Sequence, residues 1–199
     1  MKRMAESHDN LLVRKTLKGD NEAFRLIVER YKNALFNLAY RMTQNRESAE
    51  DLAQEAFVRA YEHLERFDQK RSFFTWLYTI CTNLTINELK KKSHYGDLEK
   101  NTWEQKGKDE RIASDTWSDR EFSEGEQKVY AEENKDLLNE LLGKIPGEYR
   151  TAVILRYQED LSYQEIAEVL GISLSLAKVR VHRGIEKLRT IFHEMENLK

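Results

Sequence analysis

Proline occurs once in 199 residues, at position 146, and glycine eight times, so almost nothing along the chain forces a helix to stop. Apolar side chains recur every three or four positions over long stretches. No stretch alternates with the period of two that a half-buried strand needs. The expected fold class is all-α. Apolar residues make up 40 % and charged residues 34 %, respectively below and above the shares of an ordinary globular chain. That balance suits two small helical domains better than one large core.

The first domain is expected over residues 1–92 as an N-terminal helical bundle. From Asn21 to Met42 the apolar positions Phe24, Ile27, Val28, Tyr31, Leu35, Leu38, Ala39 and Met42 keep helical spacing, until Thr43-Gln44-Asn45 ends the pattern. Ser48 reads as the start of a second helix, with Glu50 and Asp51 at the positive end of its dipole. Its buried stripe should be Leu52, Ala53, Ala56, Phe57, Ala60, Tyr61 and Leu64. The polar turn Asp68–Arg71 then leads through Ser72 into a third helix ending near Lys92.

Residues 93–130 hold no sustained period and read as a long flexible acidic linker. The net charge of −2 hides this segregation: residues 1–92 carry 17 Lys/Arg against 13 Asp/Glu, and residues 93–136 carry 7 against 13. Trp103, Trp117 and Phe122 lie in this stretch, either as anchors onto a domain or as docking points for a partner.

Residues 131–199 are expected to form a C-terminal four-helix domain. Leu137, Leu138, Leu141, Leu142 and Ile145 mark one helix, stopped at Pro146-Gly147. The next runs to about Gln158 with Val153, Ile154 and Tyr157 inward. Ser162-x-x-Glu165 then has the spacing of a capping box. Gly171 stands where that short helix must end, with Ile172 free to bury in the corner, and a last helix follows from Leu174 to about Met195. A capped short helix, a three-residue turn and a long helix make a helix-turn-helix. From 174 to 189 the long helix carries Lys178, Arg180, Arg183, Lys187 and Arg189 against the single acid Glu186, with Ala177, Val181, Ile185 and Leu188 as its core side. A cationic second helix in this motif suits the major groove of duplex DNA.

The first domain has a second candidate surface. Phe73, Phe74, Trp76 and Tyr78 crowd the start of its third helix after Lys70-Arg71, and Trp76, Ile80, Asn83, Asn87 and Lys90/Lys91 fall on one face. Aromatic rings stack on unpaired bases, amides pair with base edges and lysines neutralise phosphates, so this face suits single-stranded DNA. Leu77, Leu84 and at least one of Phe74 and Tyr78 belong to the core instead. Asp51, Gln54 and Glu55 share a polar face of the preceding helix, which by itself is only a solvated surface.

Other function classes lack support in the residues. Cys81 is alone, which excludes an intramolecular disulfide and any two-thiolate zinc site. Five histidines and many carboxylates show neither metal-ligand nor nucleophile–base spacing, and there is no glycine-rich phosphate loop. No catalytic residue, metal site, cofactor or small-molecule substrate is expected. The first thirty residues hold no apolar run long enough for a signal peptide, and no run elsewhere approaches ~20 residues, so the expected location is the cytoplasm.

Five segments in register resemble the extracytoplasmic-function sigma factors of bacterial RNA polymerase. They are Lys18-Gly19-Asp20-x-x-Ala23-Phe24, the run Ala49–Phe57, Phe74-Thr75-Trp76-Leu77-Tyr78-x-Ile80, Leu161-Ser162-Tyr163-x-Glu165-Ile166-Ala167, and Val179-Arg180-Val181-His182-Arg183-Gly184. The resemblance implies that Asp51, Gln54 and Glu55 bind the clamp helices of the β′ subunit, and that the second domain meets the β flap. It implies that Phe67, Lys70, Arg71, Ser72, Phe73, Trp76, Asn83, Asn87, Lys90 and Lys91 melt and read the start-proximal (−10) element, a flipped base lying between the 67–72 turn and Asn83. Ser162, Tyr163, Ser175, Lys178, Val179, Arg180, His182 and Arg183 would contact the upstream (−35) duplex. The acidic linker would follow the polymerase's RNA path, and an anti-sigma protein, often membrane-bound, would mask both domains. Where the family usually has Gly-Thr-Val, this chain has Ser175-Leu176-Ala177, and Val179 replaces a commonly polar residue.

Two other classes make different demands. A stand-alone helix-turn-helix regulator with a sensing or dimerising N-terminal domain would bind duplex DNA without polymerase, and an enzyme would need a site that the sequence lacks.

Overall fold

The computed structural model describes residues 2–95 and 135–196. Trp103, Trp117, Phe122 and nearly all of the expected linker lie outside the described residues. Among the described residues eight α-helices form two compact units, one of residues up to Tyr95 and a second holding most of the helices after Lys135.

The first unit contains α1 (Lys2–Leu17), α2 (Asn21–Thr43), α3 (Arg46–Glu62), a 3₁₀ turn at Leu64–Arg66 and α4 (Phe73–Tyr95). Helix α1 was not foreseen. Its buried positions Asp9, Leu12, Val13 and Thr16 keep helical spacing, but two of the four are polar, so the apolar pattern is too sparse to register. Gly19 at φ +95° ends α1, a backbone angle that favours glycine. The next residue, Asp20, caps α2 by accepting from the Ala23 amide at 3.2 Å. Lys18-Gly19-Asp20-x-x-Ala23 is therefore a stop followed at once by a start.

Helix α3 begins earlier than expected. Asn45 is its cap, accepting from the Ser48 amide at 2.8 Å, so Ser48 lies inside the first turn. The core is α2 laid on α3 and α4, with Ile27, Leu35, Leu38, Met42, Ala49, Ala56, Ala60, Leu77, Tyr78, Cys81 and Leu84 buried. Tyr61, expected inward, is exposed and packs edge-on against Phe24 with ring centroids 4.9 Å apart; Leu52 is half-buried.

Asp9, 1 % exposed, ties α1 to α2. Tyr31 donates its hydroxyl to Oδ2 at 2.5 Å and Arg30 donates to Oδ1. Burial first, and the bond to Asp9 second, push the Tyr31 phenol above its ordinary value of 10.0. Tyr31→Phe should cost roughly 1–3 kcal/mol at neutral pH, since it leaves the buried carboxylate with one donor fewer. A raised folded-state value contributes stability that is complete below the unfolded value and is lost above it. The difference between wild type and Tyr31→Phe in chemical unfolding should therefore narrow as pH rises above about 10. A difference that stayed constant to higher pH would contradict this.

The second unit contains α5 (Lys135–Lys144), α6 (Gly147–Tyr157), α7 (Tyr163–Leu170) and α8 (Leu174–Glu196). Leu138, Leu141, Leu142 and Ile145 are buried, as are five consecutive residues of α6 from Thr151 to Leu155, which makes α6 the central helix. Tyr157, expected inward, is only half-buried. Ala177, Val181, Ile185 and Leu188 form the buried side of α8, which packs on α6. Gly184 lies at that crossing: a Cβ there would stand 2.4 Å from Val153 Cγ2 and 3.1 Å from the Tyr149 carbonyl.

Candidate nucleic-acid interface

The helix-turn-helix corner forms as the spacing predicts. The Ser162 hydroxyl accepts from the Glu165 amide at 3.3 Å, and the Glu165 carboxylate accepts from the Ser162 amide at 2.8 Å. Gly171 has φ +63°, and Ile172 is half-buried, its amide closing the turn onto the Ala167 carbonyl at 3.0 Å. Ser173 then caps α8 by accepting from the Leu176 amide at 3.2 Å.

On the outer side of the motif Ser162, Ser175 and Lys178 are exposed, and Tyr163, Val179, His182 and Arg183 are half-buried. Arg180 is the member that departs from this picture. Its guanidinium lies 3.3 Å from the Glu148 carboxylate of α6, with the two side chains 17 % and 10 % exposed. A cation held against a buried carboxylate is largely neutralised, so Arg180 joins α8 to α6 instead of facing the groove freely. Glu148 has a sequence context that looks like any surface acid, and only packing shows its role.

In the first unit α4 presents Asn83, Asn87, Lys90 and Lys91 exposed and Trp76 half-buried. Two expected contact residues belong elsewhere. Phe67 and Phe73 are 6 % and 1 % exposed, so neither ring is open to a base. They brace Trp76 instead, with ring centroids 5.1 Å and 5.6 Å from the indole and 5.3 Å from each other. Their large apolar area makes burial the stronger demand. Tyr78 is fully buried, and Phe74 is half-buried against it at 4.2 Å.

The turn before α4 is held from three sides. Asp68 accepts from the Lys70 amide through Oδ1 and from the Arg71 amide through its carbonyl, each at 2.9 Å. Ser72 caps α4, its hydroxyl accepting from the Thr75 amide at 3.4 Å. Asn10 of α1 donates its side-chain amide to the Gln69 carbonyl at 3.1 Å. That last support was missed in the sequence with the helix that carries it. Lys70 and Arg71 are exposed at the tip.

Asp51, Gln54 and Glu55 are all exposed on α3, but they border two grooves. Asp51 and Glu55 face the groove between α3 and α4, whose far side carries Asn87 and Lys91. Gln54 borders the apolar groove between α2 and α3, lined by Phe24, Val28, Phe36, Phe57 and Val58. Glu55 is additionally paired with Arg59 at 2.7 Å.

Among the described residues no group of His, Cys, Asp and Glu is arranged to hold a metal ion. No described helix is long and apolar enough to cross a membrane. Residues 27–95 match the sigma-70 region 2 model, and residues 135–188 match the model of sigma-70 region 4. The chain is 40 % identical to the ECF RNA polymerase sigma factor SigW of Bacillus subtilis, over 89 % of this chain and 92 % of that one. The chain belongs to the extracytoplasmic-function sigma factors. It is 30 % identical to the sigma-E factor of Escherichia coli K12, over 90 % of this chain and 92 % of that one. Its fold is also that of CnrH, solved in complex with the cytosolic domain of CnrY (TM-score 0.65, 22 % identity, 94 % of this chain and 98 % of that one). The sigma factor RpoE of Bartonella quintana, solved with the anti-sigma factor NepR, has the same fold (TM-score 0.60, 19 % identity, 85 % and 96 %).

As a sigma factor the chain directs promoter-specific initiation of transcription, in a family of initiation factors rather than enzymes. The short helix α7 and α8 as far as residue 188 fall within the region 4 match, and α3 and α4 within the region 2 match. The two candidate surfaces therefore lie in the two regions of the chain that match sigma-70 region 2 and region 4.

Proposed function

We propose that residues 1–92 bind core RNA polymerase and melt and read the −10 element, that residues 131–199 read the −35 duplex, and that residues 93–130 link them. The observation that carries this reading is the α4 face, where Trp76 is braced by buried rings next to exposed Asn83, Asn87, Lys90 and Lys91. Unpaired bases can stack on the fixed aromatic ring while the amides beside it pair with their edges, a combination that stacked duplex DNA cannot exploit in full. Asn83, with Lys70 and Arg71 at the turn, is the candidate site for a flipped base. Lys178, Arg183, Ser175, His182, Tyr163 and Ser162 are the candidate contacts to the upstream duplex.

Asp51, Gln54 and Glu55 are the candidate contacts to the β′ clamp helices, with the β flap meeting the second domain. Their exposure supports this reading, and since Glu55 already has Arg59 as a partner, Asp51 is the cleaner test. Asp51→Lys should weaken co-elution with core polymerase by about tenfold or more, because a like charge placed against a complementary surface is strongly unfavourable. Undiminished co-elution would remove Asp51 from that surface.

An anti-sigma protein is the third candidate partner, consistent with the complexes in which CnrH and the Bartonella factor were solved. The apolar α2–α3 groove is chemically suited to an amphipathic helix. The protein would act in the cytoplasm, with no cofactor and no reaction of its own. The deciding experiment is to mix it with core polymerase and transcribe genomic fragments. Specific starts that depend on this chain are expected; failure to co-elute or to start transcripts would overturn the reading.

A further inference from the structure

Three groups converge on one ring in the second unit. Tyr163, the first residue of α7, is fixed by the capping box beside it. The Arg156 guanidinium of α6 lies over its ring at 5.0 Å from the centroid, and the Lys178 ammonium of α8 at 5.9 Å. His182, one turn after Lys178, stacks on the same side chain with centroids 6.4 Å apart and planes 24° apart. Arg156 is further held by donating Nη1 to the Leu161 carbonyl at 3.1 Å, and it also lies 6.0 Å from the Tyr157 ring.

The contrast with Arg180 makes this cluster informative. Arg180 is matched by a carboxylate, whereas among the described residues neither Arg156 nor Lys178 lies within ion-pair distance of one. Two cations held against one aromatic ring, neither within ion-pair distance of a carboxylate among the described residues, make a local positive patch that an anion would neutralise. An aromatic face attracts a cation through its quadrupole and leaves the ammonium or guanidinium donors on the far side available. A free lysine must lose rotamer freedom when it meets a phosphate or base edge. One already resting on a ring has lost part of that freedom before binding.

We propose that Tyr163 is a positioning residue for upstream DNA: its ring pre-orders Lys178 and Arg156, so that α6 and α8 meet the duplex together. Arg156 thereby becomes a DNA-facing residue, one that the helix-turn-helix pattern does not include. The inference rests on the reading that α8 binds the −35 duplex.

The test uses reconstituted holoenzyme and a promoter fragment that the wild-type holoenzyme itself recovers from genomic DNA, with affinity measured across a salt series. Tyr163→Phe keeps the ring and should bind within about twofold of wild type, whereas Tyr163→Leu should bind about three- to fivefold more weakly, the range for an exposed cation on a ring. Tyr163→Leu combined with Lys178→Ala should lose less than the product of the two single losses, because both remove the same contact. Pentafluorophenylalanine at 163 keeps the shape and reverses the ring's charge pattern, so it should match Tyr163→Leu even if that variant folds poorly. Equal losses in Tyr163→Phe and Tyr163→Leu would mean that the hydroxyl acts and not the ring, and would overturn the proposal. So would multiplicative losses in the double variant, or full affinity with the fluorinated ring. If Lys178→Ala leaves affinity unchanged, the positioning proposal fails; if Lys178→Ala combined with Arg183→Ala also leaves it unchanged, the duplex reading of α8 fails with it.

Discussion

Gly184→Val is expected to unfold the second unit while leaving the first intact. A Cβ at 184 would stand 2.4 Å from Val153 Cγ2 and 3.1 Å from the Tyr149 carbonyl, so neither a branched side chain nor a flexible tip can yield. Val153 is 1 % exposed, within a fully buried run of α6. Relief must come from moving α8 away from α6, which opens the core of the unit along Val181, Ile185 and Leu188. Overpacking of a close-packed core costs roughly 1–3 kcal/mol for one or two methyl-sized groups; a backbone-limited crossing belongs at or above the top of that range. A unit this small has a net stability near the low end of about 5–15 kcal/mol. Thermal unfolding of the full chain should lose one of two transitions, and holoenzyme should still assemble yet start few transcripts. Gly184→Ala should show a milder form of the same loss. A Gly184→Val protein with both transitions in place would show that the helices can slide apart cheaply.

Asn83→Ala is expected to reduce open-complex formation by about 10- to 100-fold at promoters that the wild type uses, the equivalent of one good side-chain–base pairing of roughly 1–3 kcal/mol. The residue is exposed, and α4 is anchored by Leu77, Tyr78, Cys81, Leu84 and three buried threonines, Thr75, Thr82 and Thr85. Its removal should therefore leave stability and polymerase binding unchanged. Extruding a base costs a few kcal/mol of stacking and pairing, so losing the group that receives it shifts the equilibrium back to closed duplex. Heparin-resistant complexes and permanganate reactivity of unpaired thymines both report this step. Equal yields of open complex from mutant and wild type would remove Asn83 from base reading.

The corner from Leu161 to Ser173 was legible because every determinant in it is local. A hydroxyl, a carboxylate three residues on and a glycine at the end of a short helix meet through contacts spanning a few residues, and the periodic stripes of α2 and α8 are legible for the same reason. Helix α1 escaped because half its buried positions are polar: Asp9 is buried only where Arg30 and Tyr31 of α2 can satisfy it, and Asn10 has a purpose only once the Gln69 carbonyl is brought beside it.

The aromatic run before and within α4 stands out in the sequence, yet its members cannot be told apart there. Phe67 and Phe73 went inward and Trp76 stayed partly open, a division set by where α1 and α2 close over the turn. Charges behaved alike. Lys178 and Arg180 are two residues apart on one cationic helix, and packing gave one an aromatic ring and the other a buried carboxylate. Asp51 and Gln54, one helical turn apart, were separated into different grooves by the helices on either side.

The sequence by itself determined the all-helical class, the helix-turn-helix corner, the cationic character of α8 and the membership that five motifs in register imply. These depend on hydrogen bonds and spacings within a turn or two of helix, which no distant contact has to complete. Only the tertiary structure decided which aromatic rings are core, which cation is neutralised, why position 184 must be glycine and what holds the turn before α4. Each of those is set by a neighbour between about thirty and sixty residues away, and the identity of such a neighbour is a property of the packed helices, absent from any local pattern.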